Sequence, residues 1–345
     1  MADTRPTVWV SQPLIDAAIA PLRDRVRLRT TGTVTAWTPA QIAEQLASAD
    51  GAIITLNERI GAAQVADAAQ LQVIANVGVG YNNLDVDALS AAGILASNTP
   101  DVLTETTADM GFALLMATAR RITESERWLR EGKWGQWSFQ TMLGADIHGS
   151  TLGILGMGRI GQGIARRGAH GFGMKVLYNN RSRLAADTEA ALGATYVDLD
   201  TLLAQSDHLV TVLPYTPASH HIIDAAALAR MKPSATLVNI ARGGIVDELA
   251  LVDALADGRL AAAGLDVYEG EPKVRPELLA LRNVVLTPHI GSASLGTRTA
   301  MVQLAVDNLL AGLGLSGSPT AMPSAINADA ALAARAMLGK KSGKR

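Results

Sequence analysis

The segment Thr151-Leu152-Gly153-Ile154-Leu155-Gly156-Met157-Gly158-Arg159-Ile160-Gly161 constrains this chain more than any other. An apolar, strand-like run ends at Gly156, two more glycines follow at fixed spacing, and a helical pattern begins near Arg159. Gly156 permits a tight turn, Gly158 lets the backbone approach a pyrophosphate, and Gly161 lets the helix pack closely on the strand. The helix start then offers unbonded N–H groups and the positive end of its dipole to phosphates. A second strand, Lys175-Val176-Leu177-Tyr178, follows at the distance expected of a βαβ unit. The pattern predicts a dinucleotide site lined by Gly156, Met157, Gly158, Arg159, Ile160 and Gly161.

The end of that second strand bears on which dinucleotide is bound. An NAD site usually places a carboxylate there for the ribose 2′-hydroxyl, whereas an NADP site uses a nearby arginine. This chain reads Asn179-Asn180-Arg181-Ser182-Arg183, with Asn180 where the acid is expected. Arg181 can form charge-assisted bonds to a 2′-phosphate, and Ser182 can add a hydroxyl donor. The reading favours NADPH, with NADH as the alternative.

Short β-branched runs alternate with helical stretches in two series, which predicts parallel sheets. The first series contains Thr7–Val10, Gly51–Ile54 and Leu71–Ile74. The second runs from Thr151 through Lys175–Tyr178, His208–Leu213, Thr236–Ile240, Ala261–Val267 and Val284–Leu286. Two series in 345 residues predict an α/β protein of two doubly wound domains, the second a Rossmann fold. Thr99-Pro100-Asp101 breaks the chain before a long, mostly apolar helical stretch that ends near Arg120-Arg121.

The formal charge of −2 provides no basic footprint for nucleic acid or anionic lipid. With no cysteine, disulfides, thiolate catalysis and cysteine metal sites are excluded. The N-terminal residues lack the apolar core of a signal peptide, and no apolar run is long enough to span a bilayer. The expectation is a soluble cytoplasmic protein.

In an open α/β sheet, ligands bind outside the carboxyl ends of the strands. Three charged or titratable residues follow such ends here. Leu237-Val238-Asn239-Ile240-Ala241 leads to Arg242, Ala263-Gly264-Leu265-Asp266-Val267 precedes Glu271, and Val284-Val285-Leu286-Thr287-Pro288 ends at His289. A guanidinium, a carboxylate and an imidazole placed there could converge on a small anionic substrate. Among six histidines, only His289 combines a strand end, a preceding proline and a following Ile290-Gly291-Ser292 turn. Histidine suits proton transfer because its ordinary pKa lies near the working pH. His148, His170 and His208 read as surface or packing residues, and His220-His221 as a lesser candidate for substrate contact. No second ligand set surrounds any of them, so no metal site is expected.

The chain resembles the D-isomer-specific 2-hydroxyacid dehydrogenase family, in particular its glyoxylate/hydroxypyruvate reductase branch. The matching segments are Asn76–Gly80, Asp101–Ala108, Leu152–Gly161, Val238–Gly243, Gly264–Pro272 and Pro288–Ser292, in the family's order. The resemblance covers most of the chain up to about Leu315. It implies a Rossmann cofactor domain, residues 101–289, inserted in a flavodoxin-like substrate domain, residues 1–100 and 290–318. Ligands would bind in the cleft between the two. The Gly-, Ser- and Ala-rich residues 319–345 fall outside the resemblance and read as a tail that need not pack. A contact of its short basic end with nucleic acid is the minor reading.

The resemblance also implies roles. Arg242 would hold the substrate carboxylate, His289 would protonate the carbonyl oxygen, and Glu271 would orient His289 and stabilise its charged form. Glu269 competes for that last role, but the residue immediately before Pro272 fits the family pattern. Glu271→Gln is then expected to lose most activity on the alkaline side. Asp266 would contact the nicotinamide carboxamide, a helix N-cap being the other reading. Thr107, Leu213, Pro214, Ile240, Ala241 and Gly291 complete the implied cofactor contacts. Val77, Gly78 and Val79, with Gly80, would form a backbone nest for the substrate. Trp134 and Trp137 lie where related enzymes extend an arm to a second subunit, so a homodimer is expected. The implied activity is NADPH-preferring reduction of small 2-oxo acids such as glyoxylate or hydroxypyruvate. A sugar-derived or bulkier 2-oxo acid is the alternative within the class, and a dinucleotide-sensing, corepressor-like binding protein the alternative outside it.

Overall fold

The computed structural model describes residues 3–339. The described residues up to Leu103 and from Ser294 onward form one unit, and Thr104–Ala293 form the other.

The first unit is built on five parallel strands: β1 (Thr7–Val10), β2 (Arg27–Thr30), β3 (Gly51–Ile54), β4 (Val73–Asn76) and β5 (Leu95–Ser97). Their order is β2-β1-β3-β4-β5, the flavodoxin-like arrangement. β1, β3 and β4 are buried along their whole length, as expected of a parallel sheet covered on both faces. Alternate side chains serve different cores. Val8 and Val10 join Leu309 and Leu310 on one side, while Trp9 joins Ile42 and Leu46 on the other. Leu309 is fully buried, and such burial contributes roughly 1.5–3 kcal/mol.

The second unit holds seven parallel strands: β6 (Thr151–Leu155), β7 (Lys175–Asn179), β8 (Ala194–Tyr196), β9 (His208–Thr211), β10 (Thr236–Asn239), β11 (Ala262–Leu265) and β12 (Val284–Leu286). The order β12-β11-β10-β9-β6-β7-β8 is that of a Rossmann sheet with one added strand. The strand order reverses between β6 and β9, which opens a ligand crevice at their carboxyl ends. The helix Thr104–Ala119 packs on β10 and β11.

Three strands were not expected from sequence. β2, β5 and β8 all lie at sheet edges, and each is only three or four residues long. An edge strand pairs on one side only, so Arg27-Leu28-Arg29-Thr30 can carry charge where a central strand cannot. β4 also begins two residues later than the apolar run suggests, at Val73.

The expectation of an unpacked tail from residue 319 is corrected. Helix Ala328–Met337 packs on the helix Val86–Ala91 and on β5. Asn327 accepts from Ala96 N at 2.8 Å and donates to Ile94 O at 3.0 Å. Arg335, buried, donates to Gly93 O at 2.6 Å and to Gln72 O. Polar side chains bonded to strand-end carbonyls hold this helix, and composition does not register such anchors. The basic end, Lys340 to Arg345, lies outside the described residues.

Candidate active site

β6 runs into Gly156 at φ 104°, a conformation that excludes a side chain. A Cβ on Gly161 would stand 2.3 Å from Gly156 O, so the helix Arg159–Arg166 meets the turn only because residue 161 has none. Gly158 caps that helix with no side-chain bond, and nothing lies within 4 Å of where its Cβ would be. The positive end of the helix dipole therefore faces open space. Met157 is buried, while Arg159 is exposed and Ile160 partly so. The Gly156 turn abuts Leu213 after β9, with Leu213 N 2.9 Å from the Gly156 Cβ position. Pro214 is exposed beyond it, and Ile240 and Ala241 lie buried after β10.

Thr107 is buried, and its hydroxyl has no hydrogen-bond partner among the described residues. A Cβ on Gly291 would lie 3.3 Å from both Thr107 Cγ2 and Asp266 Oδ2. An unpaired buried hydroxyl costs about 1–3 kcal/mol, which a ligand atom would remove. A helix N-terminus without a side-chain cap, a side-chain-free cradle and this hydroxyl all fit a dinucleotide.

The loop after β7 separates its two arginines by partner. Arg183 donates to Glu189 at 2.9 and 2.8 Å, and Tyr178 Oη donates to the same carboxylate at 2.6 Å. Leu184 N donates back to Tyr178 Oη at 2.9 Å, which fixes the path of the loop. Asn180 Nδ2 donates to Ser182 O at 3.0 Å. Arg181 is exposed and makes no hydrogen bond or ion pair among the described residues. Its guanidinium is the one available to an anion at this loop.

Arg242, Glu271 and His289 follow β10, β11 and β12, adjacent strands of one sheet edge. Asn239 fixes the first loop, donating to Arg242 O at 2.9 Å and accepting from Ala241 N at 3.0 Å. Arg242 is partly exposed, and its Nη1 donates to Ala241 O at 2.7 Å. Burial pulls its pKa below the ordinary range and Glu271 opposes the fall. Its value starts so high that it stays charged. Asp247 caps the helix Glu248–Ala256, and Glu248 pairs with Arg275 at 3.1 Å.

His289 Nδ1 lies 2.8 Å from Glu271 Oε2. Glu271 Oε1 accepts from Tyr268 N at 2.8 Å, so both carboxylate oxygens are engaged. Burial pushes the Glu271 carboxyl up, but His289, the Tyr268 N–H and Arg242 together hold it below its usual value. A carboxylate at Nδ1 assigns the proton there and leaves Nε2, which has no protein partner among the described residues. Asp266 is not a helix N-cap. It is buried and accepts from Thr287 Oγ1 at 2.7 Å, Ile290 N at 2.8 Å and Gly291 N at 2.8 Å. Those bonds fold the backbone around His289, which adopts φ 53°.

Glu269, the rival carboxylate, takes a different histidine. Its Oε1 lies 2.6 Å from His221 Nε2. The sequence carried no signal for this pair, since 48 residues separate its members.

In the first unit, the strand-end turn at Val77–Gly80 is already partly bonded. Val77 N donates to Ile54 O at 2.8 Å and Gly78 N to Asn76 O at 3.0 Å. The N–H groups of Val79 and Gly80 make no such bond among the described residues. Asn98 Nδ2 to Val79 O, 2.7 Å, and Thr99 N to Gly78 O, 2.9 Å, hold the turn from behind. Of the nest expected over Val77 to Gly80, the first two donors are thus already used, one by β3 and one within the turn.

Residues 112–291 match the family model described as D-isomer specific 2-hydroxyacid dehydrogenase, NAD binding domain. The chain is 45% identical over 312 residues to a glyoxylate reductase of Thermococcus onnurineus, covering 89% of this chain and 92% of that protein. It is 45% identical over 310 residues to glyoxylate/hydroxypyruvate reductase B of Erwinia tasmaniensis, covering 90% and 96%. The chain belongs to the D-isomer-specific 2-hydroxyacid dehydrogenase family.

Among solved structures, an NADPH-dependent glyoxylate/hydroxypyruvate reductase from Sinorhizobium meliloti, in complex with NADP and malonate, superposes with a TM-score of 0.81. It is 34% identical, covering 94% of this chain and 98% of that one. The family settles the reaction class: the protein is an NAD(P)-dependent D-2-hydroxyacid dehydrogenase, an oxidoreductase using a nicotinamide dinucleotide. Among the described residues, no helix is long and apolar enough to cross a membrane, and no cluster of His, Asp and Glu could hold a metal ion.

Proposed function

We propose that this dehydrogenase reduces small 2-oxo acids, glyoxylate to glycolate and hydroxypyruvate to D-glycerate, with NADPH preferred over NADH. The observation that carries the proposal is the 2.8 Å His289–Glu271 bond, which leaves Nε2 for proton transfer, with Arg242 near enough to Glu271 to influence its charge. A nicotinamide dinucleotide, when bound, would supply hydride to the carbonyl carbon. Arg242 binds the substrate carboxylate through its planar fork and polarises the adjacent carbonyl. His289 Nε2 gives its proton to the carbonyl oxygen, and Glu271 holds the ring in place while its charge changes. The N–H groups of Val79 and Gly80 are proposed as further donors to the substrate.

Arg181, exposed and without a protein partner among the described residues, is the proposed ligand of the 2′-phosphate, helped by Asn180 and Ser182. Names of relatives fit this reading: the Sinorhizobium meliloti protein is NADPH-dependent. Thr107, Asp266 and Gly291 are proposed to meet the nicotinamide end, and Met157 to Gly161 the pyrophosphate.

The protein is further proposed to work as a homodimer in the cytoplasm. The helix Ile122–Arg130 buries none of its residues, and Trp134, Trp137 and Phe139 are 53%, 66% and 84% exposed. Apolar surface of this kind marks an interface. Light scattering is expected to report twice the chain mass, and a monomer would refute the dimer.

The activity is tested by initial rates with NADPH and NADH, each with glyoxylate, hydroxypyruvate and 2-oxogluconate. Turnover of the first two with NADPH favoured supports the proposal. A preference for 2-oxogluconate or for NADH overturns the substrate or the cofactor assignment. Dinucleotide binding without turnover of any acid overturns the reductase reading.

A further inference from the structure

A second histidine–glutamate pair lies in the same unit. The segment after β11 sends Glu271 to His289 and, two residues earlier, Glu269 to His221 at 2.6 Å. Both histidines hold positive φ, 50° at His221 and 53° at His289. Such a conformation is uncommon in a residue other than glycine and persists where surrounding bonds impose it. His221 is stacked on His220, centroids 3.8 Å apart, and its Nδ1 lies 3.9 Å from Asp247.

The bonds around this pair connect the loops that carry the catalytic side chains. His221 N donates to Gly244 O at 2.7 Å, two residues beyond Arg242, and Ile223 N donates to Ile245 O at 3.2 Å. Glu269 N donates to Glu248 Oε1 at 2.5 Å, and Arg275 reaches both Glu248 and Glu269. The two loops also touch directly: a Cβ on Gly243 would stand 2.1 Å from the Tyr268 carbonyl. The Arg242 loop is thus held by His221 backbone on one side and rests on the Tyr268–Glu269 backbone on the other.

We infer that His221 and Glu269 are positioning residues for this dehydrogenase, a clamp that fixes the Arg242 loop against the segment bearing Glu271. The inference rests on the proposed carboxylate-binding role of Arg242. Neither residue reaches the substrate in this scheme. Their contribution is the placement of a guanidinium that must meet a two-oxygen fork, where a shift of about 1 Å can cost a hundredfold.

The test uses His221→Asn, Glu269→Ala and Glu269→Gln in the full chain. Asparagine tolerates positive φ better than most residues but cannot reach Glu269, so it cuts the clamp without adding backbone strain. His221→Asn and Glu269→Ala are expected to lower kcat/KM for glyoxylate about ten- to a hundredfold, mainly through KM, because the carboxylate seat loosens. NADPH affinity, read by fluorescence, stays within about twofold, since none of the clamp's bonds involves the Gly156–Gly161 turn. Glu269→Gln keeps an acceptor for His221 and stays within about threefold of wild type. The double variant is expected to be no worse than the poorer single one, as partners in one contact are not additive.

Hydrogen exchange of residues 241–246, measured without substrate, should rise in His221→Asn and Glu269→Ala and not in Glu269→Gln. This readout stands even if the wild type fails to turn over glyoxylate, a result that would sink the activity proposal alone. Unchanged exchange, or kinetic losses that multiply in the double variant, would overturn the clamp. A fall in NADPH affinity and melting temperature matching the activity loss would also overturn it, since it would show general destabilisation.

Discussion

Two histidine–glutamate pairs at one sheet edge use the same two residue types in opposite ways. His289 offers Nδ1 to Glu271 and leaves Nε2 without a protein partner among the described residues. His221 spends Nε2 on Glu269, while its Nδ1 faces Asp247 at 3.9 Å and its ring lies against His220. A proton donor needs one nitrogen held and the other open, which only the first pair provides. The second has both nitrogens turned toward carboxylates, an arrangement suited to holding two loops together. A short His–Glu contact therefore says little about catalysis until the other nitrogen is followed.

The two pairs predict graded losses on substitution. Arg242→Gln removes the cation of the proposed catalytic cluster and should lower kcat/KM for glyoxylate by about a hundredfold or more, the worth of a charge-assisted bidentate contact. Retained efficiency would show that the catalytic pair works without its neighbouring guanidinium. Glu271→Gln should lower kcat by about ten- to a hundredfold, far more than Glu269→Gln.

Glu271→Gln should also change acid stability in a definite direction. The folded Glu271 carboxyl titrates below its ordinary value, so its stabilisation is present above the unfolded carboxylate pKa. That stabilisation is lost as pH falls through the lowered folded value. The variant should lack this part of the acid-side slope in thermal melts, and an unchanged slope would contradict the engaged carboxylate.

Smaller effects separate paired from unpaired groups elsewhere. Arg181→Ala should reduce the NADPH-over-NADH preference by about tenfold, the scale of one charged hydrogen bond. Arg183→Ala should leave that ratio alone, because Glu189 already holds this side chain. The reverse pattern would reassign the phosphate contact. His208 is buried between Thr236 at 2.8 Å and Asp146 O at 3.0 Å, and burial lowers its pKa despite the Asp146 carbonyl and Asp207. Its neutral form supports folding above the ordinary histidine pKa, and that support is lost as pH falls below it. His208→Gln should flatten stability between about pH 7 and 5 and leave turnover unchanged. Lost turnover would give a packing histidine a role assigned here only to the two pairs.

Much of the fold was legible because central strands of covered parallel sheets must be apolar throughout. Thr151–Leu155 and Thr236–Asn239 announce themselves in this way. The edge strands β2 and β8 are partly exposed and carry no such demand, while β5, though buried, is only three residues long, and all three were missed. In the site, Arg242, Glu271 and His289 were legible because each follows a strand end, and resemblance selected Glu271 over Glu269. The His221–Glu269 contact was not, since it joins loops through positive φ and backbone bonds that no local pattern encodes. The packed helix Ala328–Met337 was hidden for a similar reason: its anchors, Asn327 and Arg335, bond to backbone carbonyls far away in sequence.

The most direct test compares His289→Asn with His221→Asn, the same replacement at two histidines of nearly equal φ, measuring kcat with glyoxylate at saturating NADPH. His289→Asn should lose about 10²- to 10⁴-fold in kcat, the scale of general acid catalysis, with NADPH affinity unchanged. His221→Asn should keep kcat at least about ten times higher than His289→Asn, because a displaced guanidinium weakens substrate binding before it blocks proton transfer. Equal losses in the two variants, or near-normal turnover in His289→Asn, would contradict the assignment of His289 as the proton donor.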